Sequence, residues 1–181
     1  YARRSAAVTQ LQQLAMLNGE VSALLLDDER RVYYFVDLLV QRQLPLLQAS
    51  AHLRNEGAAV LQLHQDHGVS AELMARGLRL APQSDGVETG VRHIEQRLAA
   101  LGRVGLALPA AWLAAQRTTT EYATQVRDGI GTGLLMDDAQ PHFEQGSRVL
   151  NAQVELYGQL SEQLHGELER ELRGLEWLLA G

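Results

Sequence analysis

The sequence predicts an all-α protein, an elongated antiparallel four-helix bundle with up-down-up-down topology. Apolar residues recur every three or four positions over long stretches, as on one face of a helix, and strand-like alternation is nearly absent. Only 4 Pro interrupt the chain, at positions 45, 82, 109 and 141. Because 181 residues with 46% hydrophobic content can bury a continuous core, we expect residues 1–181 to form a single helical domain.

The first helix is predicted over residues 2–43. Its apolar stripe consists of Leu11, Leu14, Asn18, Val21, Leu25, Asp28, Val32, Phe35 and Leu39. Asn18 and Asp28 interrupt the stripe, and they would either line a pocket between helices or fix the register of the helix as buried polar residues. The most strand-like segment, RVYYFV at 31–36, lies inside this helical pattern.

The second helix is predicted over residues 46–81, after Pro45, a residue type suited to the first turn of a helix. One face of this helix carries Leu46, Ser50, Leu53, Gly57, Val60, His64 and His67. The segment APQSDG at 81–86 combines Pro, Asp and Gly, so we expect it to end the second helix and to cap the third.

The third helix is predicted over residues 86–136. Its stripe consists of Val87, Val91, Ile94, Leu98, Leu101, Gly105, Leu108, Trp112, Ala115, Thr119, Tyr122 and Val126. Pro109 lies within this pattern and would lose the hydrogen bond to the carbonyl of Gly105, so we expect a kink or a short break there.

The fourth helix is predicted over residues 141–180, after the turn MDDAQP. Its stripe consists of Tyr157, Leu160, Leu164, Leu168, Leu172, Leu175 and Leu179. Short turns make neighbouring helices antiparallel, which gives the up-down-up-down bundle. An alternative architecture divides the rod into two stacked bundles built from six helices, with breaks near Gly68 and Gly105.

The composition excludes several classes of function. The 16 basic residues are all Arg, so Schiff-base catalysis by a Lys amine is excluded. The net charge of −6 and the absence of a basic cluster argue against nucleic acid as a partner. With 0 Cys, disulfides and thiolate chemistry are excluded too, and no apolar run in the sequence reaches membrane-spanning length.

The sequence contains no G-x-S-x-G, P-loop or dinucleotide motif, so we predict neither catalytic residues nor a cofactor. His64 and His67 are spaced to share a metal, and Glu162 and His165 have the ExxH spacing of di-iron bundles. A di-iron centre needs two ExxH motifs and two further glutamates on facing helices, and only one ExxH occurs here. An all-helical metalloenzyme therefore ranks well behind the other hypotheses.

Several polar residues fall at a similar height in the predicted antiparallel layout. They are Asp28, Arg31, Arg54, Gly57, Thr119, Tyr122, Gln153 and Tyr157. Two guanidinium groups, hydroxyls and an amide beside a Gly could bind a carboxylate or another small anion between the helices. Asp28 could equally neutralise one of the Arg side chains and leave no site. The β-branched segment TTT at 118–120 would favour a local distortion at this level.

Two segments carry a resemblance to a known family. QLPLLQASAHLRNEGAAVLQ at 43–62 is a Leu-Pro followed by an amphipathic helix rich in small residues, and RVLNAQVELYGQL at 148–160 belongs to the closing helix. Together with the helix order and lengths over nearly the whole chain, they resemble the extracytoplasmic four-helix-bundle and helical bimodular sensor domains of bacterial transmembrane receptors. These receptors are chemoreceptors and sensor histidine kinases such as the trimethylamine-oxide sensors.

The resemblance implies a periplasmic domain of a bacterial inner-membrane protein, attached to membrane spans, that passes binding to those spans by displacement of its first and last helices. The ligand would be a small molecule, such as an organic acid or another anion, or else a periplasmic binding protein. A kinase, chemotaxis or cyclic-nucleotide module would provide the output. Such receptors act as homodimers, so we expect two rods to pair through exposed apolar positions such as Val8 or Trp177.

A second hypothesis is a structural or adaptor bundle that binds another protein through its outer face. Trp112, Tyr33 and Tyr34 are candidate contacts, since the two Tyr lie off the apolar stripe of the first helix. Membrane spans flanking the domain in the full-length gene product would favour the sensor, and their absence would favour the adaptor. Bound iron or zinc would favour the metalloenzyme.

Overall fold

The computed structural model describes residues 30–103, 105–133, 135 and 137–179. Its helices, in chain order, are α1 (Arg30–Val36), a π-helical stretch (Asp37–Gln43), α2 (Leu44–His67), α3 (Ala71–Leu78), α4 (Leu80–Arg103), α5 (Trp112–Asp128), a short 3₁₀ helix (Ile130–Thr132) and α6 (Ala139–Leu179). The described residues form no strand, and long helices make up most of them. The predicted all-α helical bundle is confirmed.

The first long helix runs without a break from α1 through the π-helical stretch into α2. The turn predicted before Pro45 is therefore wrong, and the π-helical stretch is the physical reason. Pro in a helix interior lacks an N–H and clashes with the carbonyl one turn earlier. The backbone N–H of Leu44 bonds the carbonyl of Leu39 rather than that of Val40, so the helix is wider directly before Pro45 and accommodates its ring.

The chain reverses at the far end of α2, earlier than the sequence suggests. Gly68 ends α2 with a positive φ of 75°, and its N–H bonds the carbonyl of His64 at 2.8 Å. Ser70 then caps α3, because its hydroxyl accepts a hydrogen bond from the backbone N–H of Leu73 at 3.1 Å. Arg79 joins α3 to α4.

The turn predicted at 81–86 is wrong, because these residues belong to α4. Pro82 lies in the first turn of α4, where a backbone N–H has no partner within the helix to lose. Asp85 points from α4 toward α5, where it lies 3.4 Å from Arg127. The segment at 81–86 therefore begins α4 rather than ending the helix before it, and Gly86 lies in the second turn of α4.

The predicted third helix is in fact two antiparallel helices, α4 and α5. The connection between them contains Gly105, with a φ of 86°, and Pro109, whose carbonyl accepts a hydrogen bond from the N–H of Trp112 at 3.0 Å. The expected kink at Pro109 is thus a full reversal of the chain. Pro141 lies in the first turn of α6, close to the predicted start of the last helix.

The α1–α2 helix, α4, α5 and α6 form the bundle, and each is antiparallel to the next. α6 also packs against the α1–α2 helix and closes the bundle. All of these helices contribute to one apolar core, which includes Phe35, Leu53, Ile94, Ala123 and Leu156. Burying a side chain of the size of Leu or Phe stabilises the fold by about 1.5–3 kcal/mol. Gly68 and Gly105, the breaks on which the alternative of two stacked bundles depended, lie in the connections between helices of this bundle.

The aromatic residues proposed as outer-face contacts differ in exposure. Trp112 is only 5% exposed, because it begins α5 facing the core, so its assignment as an outer contact is wrong. Tyr33 is 41% exposed, whereas Tyr34 is half-buried against the core. Val8 lies outside the described residues, and so does the side chain of Trp177.

Candidate functional site

A layer of polar side chains crosses the core between α2, α5 and α6. Its centre is Gln153 on α6, which is 2% exposed. The Nε2 of Gln153 donates hydrogen bonds to Ser50 Oγ on α2 at 2.8 Å and to Thr119 Oγ1 on α5 at 3.1 Å. The backbone carbonyl of Gln153 accepts a hydrogen bond from Gln43 Nε2 at 3.0 Å. These four residues are the polar layer, and they join three of the bundle helices.

Two buried oxygens of the polar layer have no hydrogen-bond partner among the described residues, namely Gln43 Oε1 and Gln153 Oε1. Both residues line a core cavity of about 10 Å³. A cavity of that size has room for about one water molecule. The interior of the bundle at this level therefore excludes an organic ligand.

A second buried polar contact lies nearer to the start of α6 than the polar layer does. Tyr122 OH on α5 and His142 Nε2 on α6 are 3.0 Å apart, and the same Nε2 is 3.4 Å from the carbonyl oxygen of Leu53 on α2. The His142 ring packs directly on Gly57 of α2, where an added Cβ would lie 2.7 Å from Cε1 of the ring. Gly57 thus provides the space in which His142 reaches Tyr122.

Burial sets the protonation of this pair. Burial raises the pKa of Tyr122, and the nearby charge of Arg54 opposes the shift. Burial also lowers the pKa of His142, against the opposing effects of the Leu53 carbonyl and the charge of Asp137. Phenol and imidazole are therefore both uncharged at neutral pH. This neutral pair links α2, α5 and α6 through buried contacts.

Arg54 lies beside this pair and joins α2 to α6. Its NH1 donates to Ser147 Oγ at 3.2 Å, and its Nε donates to Asn55 Oδ1 at 3.0 Å. The guanidinium carbon is 4.5 Å from the centroid of the Phe143 ring. The aliphatic part of Arg54 packs on Gly146, where a Cβ would be 2.5 Å from Cγ. The Arg54 guanidinium was predicted to bind an anion, but much of it already makes contacts within the protein.

The structure brings together only part of the predicted ligand site. The residues that lie close together are Arg54, Gly57, Thr119, Tyr122 and Gln153. Tyr157 lies one turn along α6 from the polar layer and is half-buried against the core. Ligand binding by this group stays a prediction.

The two remaining predicted residues are placed differently. Arg31 lies on the same continuous helix as Arg54, so the two are separated by about 35 Å at 1.5 Å per residue. Their predicted common height is wrong, because it depended on a reversal of the chain at Pro45. Asp28 lies outside the described residues.

An open cleft of about 390 Å³ lies at the surface between the first long helix and α4. We call it the α2–α4 cleft; its lining residues are Gln41, Arg42, Pro45, Leu46, Ala49 and His52 on the first helix, and Gln83, Gly86, Gly90 and His93 on α4. The helices are antiparallel and meet where Gly90 lies against Leu46. Arg42 and His93 are consequently at one end of the cleft, and His52 and Gln83 are at the other.

The Arg42 end of the cleft carries a net positive charge. The carboxylate of Asp37 is 2.7 Å from Arg97 Nε and 3.4 Å from Arg42 Nε, so two guanidinium groups face one carboxylate. Arg97 also lies over the ring of Tyr34 at 5.9 Å. The terminal nitrogens of Arg42 have no hydrogen-bond partner among the described residues.

Sequence reasoning missed His142, Gln43 and the cleft. A signal for His142 was present, because the stripe of the last helix extends backward from Leu160 in steps of three and four. The buried positions reached in this way are Leu156, Gln153, Val149, Gly146 and His142. The cleft had a signal in Gly86 and Gly90, which share one helix face, but the predicted turn at 81–86 concealed it.

Within the described residues, no group of three or more His, Cys, Asp or Glu side chains is placed to hold a metal. His165 forms an exposed contact with Glu169 at 3.1 Å on the same helix. In the same ranges, no helix has the length and apolar content needed to cross a membrane.

No protein-family model, no curated protein and no solved structure matches this chain. The candidate sites are accordingly assigned from their own geometry and chemistry.

Proposed function

We propose that the chain is a periplasmic ligand- or partner-sensing domain of a bacterial inner-membrane signal-transduction receptor, a chemoreceptor or a sensor histidine kinase. The topology of the bundle is the observation that supports this proposal. α1 packs against α6, and the two are antiparallel, so the first long helix enters the bundle at the end where α6 leaves it. A domain held between two membrane spans requires this arrangement.

In this proposal, binding shifts the α1–α2 helix relative to α6. The polar layer joins these helices through the hydrogen bonds from Gln43 to Gln153 and from Gln153 to Ser50. A typical hydrogen bond contributes about 0.5–1.5 kcal/mol net, so a small axial shift that exchanges these bonds has a modest cost. A ligand that binds one packing better than the other can provide free energy of that size.

The receptor model includes pairing of two copies side by side. An exposed apolar stripe on α6 would suit such pairing, since Phe143, Val154 and Leu172 are 40%, 55% and 62% exposed and share one helix face. The same stripe supports a second candidate function, an adaptor bundle that binds another protein through its outer face. The variant Val154→Glu distinguishes these two functions. If it abolishes self-association of the chain, the stripe pairs two copies, which favours the receptor dimer.

The location of the domain tests the sensor proposal directly. Alkaline phosphatase, inserted after the exposed Leu108 in the full-length gene product, is active only outside the cytoplasm, where its disulfides form. β-Galactosidase at the same position serves as the matched control and is active only inside. The proposal predicts high phosphatase and low galactosidase activity. The reverse result would overturn it and favour the adaptor.

A further inference from the structure

We propose that the α2–α4 cleft binds a small organic carboxylate that has an apolar body and, at its far end, an N–H or O–H donor. The assignment rests on the proposed sensing function and names the place where the domain takes its ligand. It involves no residue of the polar layer and no residue of the contact around Arg54.

The end of the cleft at Arg42 and His93 recognises the carboxylate. Arg42 is part of the bundle surface, its side chain is 32% exposed, and its terminal nitrogens have no hydrogen-bond partner among the described residues. Asp37 does not cancel this charge, because Arg97 contacts the same carboxylate at the shorter distance of 2.7 Å. A guanidinium with two free N–H groups matches the geometry of a carboxylate.

The middle of the cleft suits an apolar body. Pro45, Leu46 and Ala49 form one wall, and Gly86 and Gly90 form the other. Packing explains the glycine at position 90, since a Cβ there would lie 3.1 Å from Leu46 Cδ1.

Packing does not explain the glycine at position 86, because an added Cβ would meet nothing within 4 Å. Gly inside a helix costs about 0.5–1 kcal/mol relative to Ala. Gly86 thus keeps open space within the cleft without any contribution to packing. Occupation of that space by a ligand gives this glycine a function.

The opposite end of the cleft provides an acceptor. Gln83 lines the cleft, and its Oε1 is buried without a hydrogen-bond partner among the described residues. A buried acceptor that lacks a donor costs about as much as a lost hydrogen bond. A donor on the ligand would satisfy Gln83 Oε1, and His52 lies at the same end of the cleft.

The dimensions fit a molecule of this class. The cleft volume of about 390 Å³ lies within the usual range of roughly 300–1,000 Å³ for small-molecule sites. From Arg42 to His52 the first helix advances about 15 Å. Gln41 and Arg42 belong to the π-helical stretch, and such stretches occur frequently at functional sites.

A matched set of probes tests the assignment on the purified chain. Para-hydroxyphenylpropionate has the carboxylate, the apolar ring and the donor; its carboxamide lacks the charge, and phenylpropionate lacks the donor. We expect para-hydroxyphenylpropionate to shift the NMR signals of His52 and His93 at millimolar concentration, phenylpropionate to bind more weakly, and the carboxamide to bind weakest. Equal binding of all three, or no shift with any of them, would overturn the proposal.

Two pairs of variants locate the binding. Gly86→Leu fills the cleft, whereas Gly102→Leu adds the same side chain to α4 at another position where a Cβ meets nothing within 4 Å. Arg42→Gln removes the charge of the cleft, and Arg148→Gln removes an exposed charge from α6. We expect Gly86→Leu to abolish binding and Arg42→Gln to weaken it about tenfold or more. The two control variants should bind as the parent chain does.

Binding that survives both Gly86→Leu and Arg42→Gln would place the ligand elsewhere and overturn the assignment. Circular dichroism of each variant confirms that loss of binding does not reflect loss of the fold. The outcome is independent of the phosphatase insertion: an active phosphatase with no binding in the cleft would leave the receptor proposal intact and remove only this site. Conversely, binding of the probe in the cleft of a domain that the insertions place in the cytoplasm would support the ligand site and overturn only the receptor proposal.

Discussion

The two sides of α2 are built very differently. Toward α5 and α6, Gln153 reaches Ser50 and Thr119 through hydrogen bonds of 2.8 and 3.1 Å, and the cavity beside them is about 10 Å³. Toward α4, glycines face α2 and a cleft of about 390 Å³ remains. The size of the facing side chains thus decides which interface is closed and which is open to a ligand.

The largest expected effect comes from filling the space at Gly57. Gly57→Leu places a side chain against the His142 ring, with its Cβ only 2.7 Å from Cε1, so the buried Tyr122–His142 contact has to move. Overpacking of this kind should lower the free energy of unfolding by about 3 kcal/mol in urea denaturation. Gly86→Leu in the cleft is the matched change and should cause no loss. Equal destabilisation by both would contradict the difference between the two sides.

The next effect concerns the polar layer itself. Gln153→Leu removes the amide that donates to Ser50 and Thr119, and it leaves these buried hydroxyls without that partner. We expect a loss of about 2 kcal/mol in the free energy of unfolding. Gln83→Leu, in the cleft, removes a buried oxygen that has no hydrogen-bond partner among the described residues, so it should cause no loss in the free energy of unfolding. A comparable loss in both variants would show that the two amides are equally important for the fold.

Acid should lower the stability of the interface of α2 with α5 and α6, where His142 is buried. The pKa of His142 is lowered by burial, so the folded state holds this ring neutral and binds fewer protons than the unfolded chain. The associated stability is fully present above the ordinary histidine pKa of about 6.5 and is lost as the pH falls below that value toward the lowered one. Urea denaturation at a series of pH values measures this loss. His142→Gln should flatten the profile below pH of about 6.5, and an unchanged profile would assign the acid sensitivity to other groups.

The smallest expected effect is a gain on the open side. Gly86→Ala replaces a glycine inside α4 where the added Cβ meets nothing within 4 Å. The helix should gain about 0.5–1 kcal/mol, visible as a raised urea midpoint with an unchanged slope. Gly90→Ala is the comparison, because its Cβ would lie 3.1 Å from Leu46 Cδ1 and packing should offset the gain. A loss of stability in Gly86→Ala would mean that the cleft is not open there.

The sequence was sufficient for the fold class and for most core positions, because amphipathic spacing is a local property of the chain. Leu53, Ile94, Trp112 and Leu160 lie in the predicted stripes, and all are buried. Helix boundaries were less predictable. Pro45 and Pro82 favour turns in isolation, but a π-helical stretch accommodates the first and the start of α4 accommodates the second.

The candidate site shows the same limit more strongly. Thr119, Tyr122 and Gln153 were recognised as neighbours, since their heights depend only on the hairpin between α5 and α6. Arg31 was misplaced by the assumed reversal at Pro45, and the partner of Tyr122, His142, is a contact between residues distant in sequence. Tertiary contacts of this kind depend on the register between helices, which local patterns do not determine.

One distance measurement tests most directly whether the bundle is a sensor. The chain has 0 Cys, so spin labels can be placed specifically at Gln62→Cys on α2 and Glu162→Cys on α6, both exposed positions that lie at different heights along the bundle, so that an axial shift changes the distance between them. We predict that saturating para-hydroxyphenylpropionate shifts the distance between the two labels in this chain but not in the same chain with Gly86→Leu. Binding of the probe in the α2–α4 cleft with an unchanged distance between the labels would contradict the transmission of ligand binding through α2 and α6.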